Sequence, residues 1–194
     1  MRFCMPPEPP TKLTFDKIAA CRRQIDTAIW LWFNDGDMVS IHTLADAAFG
    51  ILDQLFQARK WGRPMPLDDD PAKTTPEQRK WRDKVREAGA FGKHARWDHD
   101  RAYEYNPVFI ECYLAFAITA HGRLEDVGPG SLQTAFSIWF WLHYPKFVER
   151  APNLPYGFDV EGSRKLSRRA FFKKFGVISL GTLTLNWRAM TPQG

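Results

Sequence analysis

The 194-residue chain is 44% apolar with 8 Trp and 15 Phe, a composition that excludes a disordered polymer and fits one packed domain with tails. Its formal charge of +5 suits an anionic partner, but the stretch from Arg164 to Lys174 holds six basic residues and no acid. The rest is close to neutral, so overall charge says little about the body.

Residues 1–12 contain Pro6, Pro7, Pro9 and Pro10, which favour an extended arm. Thr14 is placed to cap a first helix running to about Phe33, with Ile18, Ile25, Ala28, Ile29 and Trp32 on one face. The turn Asn34-Asp35-Gly36-Asp37 is short enough to make the next helix antiparallel to it. That second helix, expected from a Ser40 cap to Lys60, carries an apolar stripe of Ile41, Leu44, Ala45, Ala48, Ile51, Leu52 and Leu55. Other elements must cover this stripe, which makes it the expected centre of the fold. Its opposite face carries His42, Asp46 and Asp53, with His42 and Asp46 one turn apart.

The loop from Gly62 to Thr75 combines prolines with Asp68-Asp69-Asp70 and reads as solvated chain rather than a metal site. Thr75, Pro76 and Gln78 start a short charged helix, with Trp81, Val85 and Ala88 on its buried side, ending near Gly89 or Gly92. A polar linker, GKHARWDHDRAYEYN, follows. Asn106-Pro107 then opens a helix expected to reach His121 and stop at Gly122. It is apolar nearly all round, so Glu111 must face a polar pocket or an open edge. After the Gly128-Pro129-Gly130 turn, Ser131 is the expected cap of a last helix closed by Pro145. The expectation is an all-α bundle of about five helices over residues 13–150, with an N-terminal arm at 1–12 and a basic, aromatic tail at 151–194.

Cys4, Cys21 and Cys112 lack CxxC spacing and read as free thiols of a reducing cytoplasm, and no apolar run approaches the roughly 20 residues needed to cross a bilayer. The residues that could carry chemistry are His42 and Asp46, the linker's His94, Asp98, His99 and Asp100, and Glu111. Imidazoles and carboxylates of this kind bind divalent metals, and His42, His94, Asp98 and His99 are the candidate ligands. There is no HExxH or ExxH spacing, no GxSxG, no P-loop and no GxGxxG, so no catalytic residue or cofactor is assigned. The competing reading makes His42 a structural histidine satisfied by Asp46 or the linker. Cys112 and His121 suggest a nucleophile and base, but Cys112 lies in the most apolar helix and reads as a core residue.

The segments SIHTLADAAFGIL and FGKHARWDHD, followed by FSIWFWLHYP, resemble an uncharacterised family of small bacterial helical proteins over roughly Leu13 to Phe147. The first hairpin is also similar, more distantly, to the HEPN fold. That resemblance implies a homodimer and a nucleotide, RNA or protein partner. HEPN ribonucleases carry an arginine followed four to six residues later by a histidine. Arg86 precedes His94 with seven residues between, and Arg96 precedes His99 with two, so the resemblance reaches the fold and not that chemistry.

The segment Ser167-Arg168-Arg169-Ala170-Phe171-Phe172-Lys173 resembles a twin-arginine export motif, placed at the opposite end of the chain from where such motifs act. Arg164, Lys165, Arg168, Arg169, Lys173 and Lys174, interleaved with phenylalanines, could instead dock on the body, lie on an anionic surface or bind nucleic acid. Two classes of function follow. One is a binding or regulatory module with a His/Asp-lined pocket; the other is a small metal-dependent or acid–base enzyme using His42, His94 and Asp98.

Overall fold

The computed structural model describes residues 12–62, 76–91, 100, 102–104, 106, 108–124, 129–148, 152, 154 and 156–176. The proline arm, the Asp68–Asp70 run, most of the polar linker and the last eighteen residues lie outside this set. The helices are α1 (Lys17–Phe33), α2 (Met38–Ala58), α3 (Pro76–Phe91), α4 (Val108–Leu124), α5 (Ser131–His143), α6 (Val160–Arg164) and α7 (Arg168–Phe175). A 3-10 turn at Pro145–Phe147 follows α5. There is no β-strand among the described residues, and the architecture is an all-α bundle.

The first two helices form the expected antiparallel hairpin, with Cys21 Sγ of α1 3.5 Å from the Ala48 carbonyl of α2. Their connection is a tight C-terminal turn in which Asp35 takes the left-handed conformation at φ 56° and Gly36 N–H donates to the Leu31 carbonyl at 2.8 Å. Such backbone is uncommon for a side-chain-bearing residue, though Asp is among those that tolerate it.

The centre of the bundle is α1 rather than α2. Helix α1 packs on α2, α4, α5 and α7, whereas α2 meets α1, α3 and α4. Trp32 explains the shift. Fully buried, it makes edge-on contacts with Phe33, Phe136 and Trp139 at centroid distances of 4.9, 5.1 and 4.3 Å. Such pairs contribute about 0.5–1.5 kcal/mol each beyond their burial.

The buried stripe of α2 is also rotated from the expected one. It runs through Ile41, His42, Ala45, Ala48, Phe49, Leu52 and Phe56, leaving Leu44, Ile51 and Leu55 partly covered. The two phenylalanines offer more apolar area than the residues they displace, and they carry His42 inward with them.

Several helix ends also differ. Asp16, not Thr14, caps α1 by accepting from Ala19 N at 2.7 Å. Asp37, not Ser40, caps α2 by accepting from Ser40 N at 2.7 Å, and its hydrogen bonds to Ser40 hold its carboxyl below the usual range. In both cases a carboxylate suits the positive helix end as well as its orphan N–H groups. Ser131 is the first residue of α5 behind an extended Gly130 that makes no side-chain cap. Helix α4 continues through Gly122 to Leu124, because Leu124 is buried, Arg123 lies 4.7 Å over the Phe56 ring, and Arg59 Nη1 donates to the Leu124 carbonyl at 3.4 Å.

Part of the segment set apart as a tail belongs to the packed body. Phe171 and Phe175 of α7 are buried in the core, and α6 packs on α5.

Candidate functional site

Helix α4 passes through the bundle and sends residues to two sides. Tyr113 and Glu111 are two positions apart, about 200° around a helix with 3.6 residues per turn, so they serve different neighbours.

On the α2 side, the Tyr113 hydroxyl donates to Asp46 Oδ1 at 2.9 Å. The ring of Tyr113 stacks on His42 at 5.5 Å and on Phe49 at 5.0 Å. His42 is only 3% exposed, so the imidazole expected on the polar face of α2 lies in the core wall. Asp46 is half-buried and has α3 pressed against it. A Cβ added to Gly89 would lie 2.5 Å from Asp46 Cγ and 2.7 and 2.8 Å from its two oxygens. Glycine is what lets α3 approach the carboxylate this closely. His42 and Asp46 thus each meet Tyr113, one by its ring and one by its hydroxyl.

Gly89 is in the last turn of α3, and His94 follows five residues later. The Phe91 ring stacks on Tyr103 at 5.2 Å, and the Tyr103 hydroxyl reaches the Lys84 carbonyl at 3.3 Å. The chain thus leaves α3 at Phe91 and returns to it at Tyr103. His94, Asp98 and His99 lie outside the described residues, while Asp100 is described and exposed.

Glu111 does not join His42 and Asp46. It faces the seam between α1, α5 and α7, where Tyr144 donates to its Oε2 at 2.5 Å. Burial pushes its carboxyl above the usual range, opposed by the Tyr144 hydrogen bond, then by Arg168 and His143, and least by the Trp32 indole. The indole Nε1 makes no hydrogen bond of ordinary geometry. Tyr144 is itself pushed upward, by burial first and then by Glu111. His143 stacks on Trp139 at 4.0 Å and its Nδ1 lies 2.9 Å from the Trp139 carbonyl. Because a carbonyl only accepts, Nδ1 carries the proton.

Cys112 is an inert core thiol. Burial, then Glu111, pushes it up to about 12. His121 lies nine positions further on, half a turn out of phase, which puts the two on opposite sides of α4.

The basic residues near the C-terminus are largely engaged. Arg164 donates from Nε to the Leu142 carbonyl at 2.8 Å and pairs with Glu161 at 2.9 Å. Arg168 pairs with Asp35 Oδ1 at 2.8 Å and lies 4.9 Å over the Trp32 ring. Arg169 pairs with Asp35 Oδ2 at 2.9 Å and donates to the Asn34 carbonyl at 2.7 Å. Lys165 and Lys173 are exposed, and exposed Lys174 reaches over Phe175 at 5.2 Å. Docking of α7 on the body thus occupies the paired arginines.

Sequence reasoning missed Tyr113, Tyr144, Gly89 and Asp35. The available signal was that a tyrosine in an all-apolar helix needs a partner for its hydroxyl. Among the described residues, no three His, Cys, Asp or Glu side chains are grouped to hold a metal ion, and no helix is long and apolar enough to cross a membrane. No protein-family model, curated protein or solved structure matches the chain.

Proposed function

We propose that the chain is a helical binding or regulatory module with a HEPN-like hairpin, recognising a nucleotide, an RNA or a protein partner beside Asp46. The observation that carries this reading is the fixed carboxylate of Asp46, held by the Tyr113 hydroxyl and lodged against Gly89. The chain that starts two residues after Gly89, and whose ends meet at Phe91 and Tyr103, supplies His94, Asp98 and His99. A carboxylate held by a tyrosine at the end of α3, after which imidazoles and carboxylates follow in the sequence, supports a recognition site on a helical scaffold. Glu111, facing the other seam, is left out of the proposed pocket.

Calorimetric titration of the full chain with nucleoside di- and triphosphates and with a short single-stranded RNA tests the reading. Binding abolished by His94→Ala and weakened at least tenfold by Asp46→Asn supports it. Binding unchanged in both variants sinks it. A stoichiometric transition metal in protein purified without a histidine tag, lost in His94→Ala, would point instead to the enzyme of the sequence reading.

A further inference from the structure

Both ends of the α1–α2 hairpin expose large apolar side chains. At the turn end these are Trp30 and Val39, 50% and 58% exposed. At the open end they are Leu13 and Phe15 ahead of α1 and Trp61 just past α2, at 59%, 53% and 44%. Charge separates the two ends. The turn end carries Asp35 and Asp37, and the arginines brought to it by α7 are taken up by Asp35. The open end carries Lys12, Lys17, Arg23, Arg59, Lys60 and, where α4 finishes beside α2, Arg123, all of them exposed. Among the described residues of α1, α2 and α4, the acids near this end are engaged. Asp16 caps α1, Asp26 accepts from Gln133 at 2.9 Å, and Asp53 accepts from Gln57 at 2.7 Å. Arg23, Arg59 and Arg123 lie over the rings of Phe15, Trp61 and Phe56 at 5.6, 4.9 and 4.7 Å, so cations and apolar rings alternate.

Trp61 is held in place by a tight turn. Lys60 N–H donates to the Gln57 carbonyl and Trp61 N–H to the Phe56 carbonyl, each at 3.0 Å, and the Trp61 ring meets Phe56 edge-on at 5.8 Å. This is the Schellman ending of a helix, whose left-handed residue is usually glycine. Here that residue is Lys60, at φ 56°, a conformation unfavourable to any residue with a Cβ. Lys17 breaks a second local rule. As the first residue of α1 it sits at the positive end of the helix dipole, with no acid inside that first turn. Neither lysine serves its own helix, yet both add charge to the same exposed apolar end, and local rules are broken in this way at functional sites.

We infer that the open end of the hairpin docks on an anionic lipid bilayer, with Leu13, Phe15 and Trp61 entering the headgroup layer and the surrounding lysines and arginines meeting its phosphate and carboxylate groups. Charge complementarity selects this partner, because the equally apolar turn end lacks the basic surround. An aliphatic leucine beside two aromatic rings suits the boundary between headgroups and acyl chains, whereas single-stranded nucleic acid is held on stacking planes. The long stems of Lys and Arg let their charged heads stay at headgroup level while the apolar residues go deeper. Attachment is peripheral, since among the described residues no helix is long and apolar enough to cross a membrane. The surface shares no residue with the Asp46 site, so the failure of either reading leaves the other standing.

Co-sedimentation of the full chain with vesicles tests the inference. The chain is expected to bind vesicles of equal parts phosphatidylcholine and phosphatidylserine, to be released by added salt, and to stay off vesicles of phosphatidylcholine alone. Lys12→Gln and Lys17→Gln should each weaken binding about fivefold, and Leu13→Ser/Phe15→Ser on the order of tenfold or more. Trp30→Ser/Val39→Ser, at the turn end, should leave it unchanged. Lys60→Gly separates lipid binding from folding, because it relieves the left-handed backbone and should raise the urea midpoint while weakening binding about fivefold. If Leu13→Ser/Phe15→Ser loses its helical circular dichroism, the three lysine variants decide. A wild-type chain that ignores both vesicles, or binds both equally, overturns the inference. So do binding unchanged in the lysine variants, an equal loss in the turn-end variant, and retention of a short single-stranded RNA without any vesicle binding.

Discussion

Two tyrosine-bound carboxylates lie on opposite sides of α4, and their surroundings differ in a way that separates structural from recognition chemistry. Glu111 is closed in by Trp32, Tyr144, His143 and Arg168, so that burial outweighs its partners and favours the protonated form. Asp46 also accepts from a tyrosine, yet its other neighbour is a glycine at the end of α3, where the chain departs into the histidine-bearing linker. The first acid is sealed into a seam between helices. The second is held in place by one tyrosine at the helix end from which the chain runs on to His94.

The comparison breaks most severely at Trp32. Trp32→Ala removes the aromatic wall behind Glu111 and the plane under Arg168, and is expected to cost about 3–5 kcal/mol in urea unfolding. If the two sides of α4 are independent, the Tyr113–Asp46 contact survives in the residual folded fraction.

On the other side, Gly89→Ala drives a methyl group into the Asp46 carboxylate. The expected loss is about 1–3 kcal/mol from overpacking, less up to about 1 kcal/mol of regained helix propensity. Removing the carboxylate as well reverses the sign. In an Asp46→Ala background, Gly89→Ala should be neutral or stabilising, and a double-mutant cycle showing plain additivity would refute the close approach.

The Glu111 side carries a pH signature. A carboxyl whose folded pKa is raised binds more protons folded than unfolded between the two values, so its contribution to stability is most favourable below the unfolded pKa of about 4.3 and falls as pH rises through the folded one. Glu111→Gln should flatten this part of the stability profile and leave the neutral protein at least as stable as wild type. A profile of unchanged slope from pH 4 to 7 would contradict the assignment.

The smallest effect separates two readings of one helix end. Asp37→Ala should lower the urea midpoint more than Ser40→Ala does, because Asp37 supplies the capping oxygen, whereas Ser40→Ala removes only a hydroxyl bond to Asp37 and leaves the Ser40 backbone N–H on the cap.

Local pattern made the helices legible because apolar spacing, prolines and turn residues act over a few neighbours. The antiparallel hairpin and the boundaries of α1 to within a few residues were readable in this way. The seven-residue stripe of α2 was read slightly out of phase, since nothing in the sequence weighed Phe49 and Phe56 against Leu44 and Leu55. The cap at Asp37 was passed over for the same reason: Ser40 has the right chemistry and stands three positions too late.

The amino-acid sequence by itself determined an all-α chain, its hairpin and its inventory of polar groups, because those follow from periodicity along the backbone. Only the tertiary structure decided that Glu111 and Asp46 part company across α4, that Gly89 admits one carboxylate, and that Asp35 gathers two arginines from more than 130 residues away. Each depends on which side of a helix meets which neighbour, and that is chosen by packing of large aromatic side chains from distant parts of the chain.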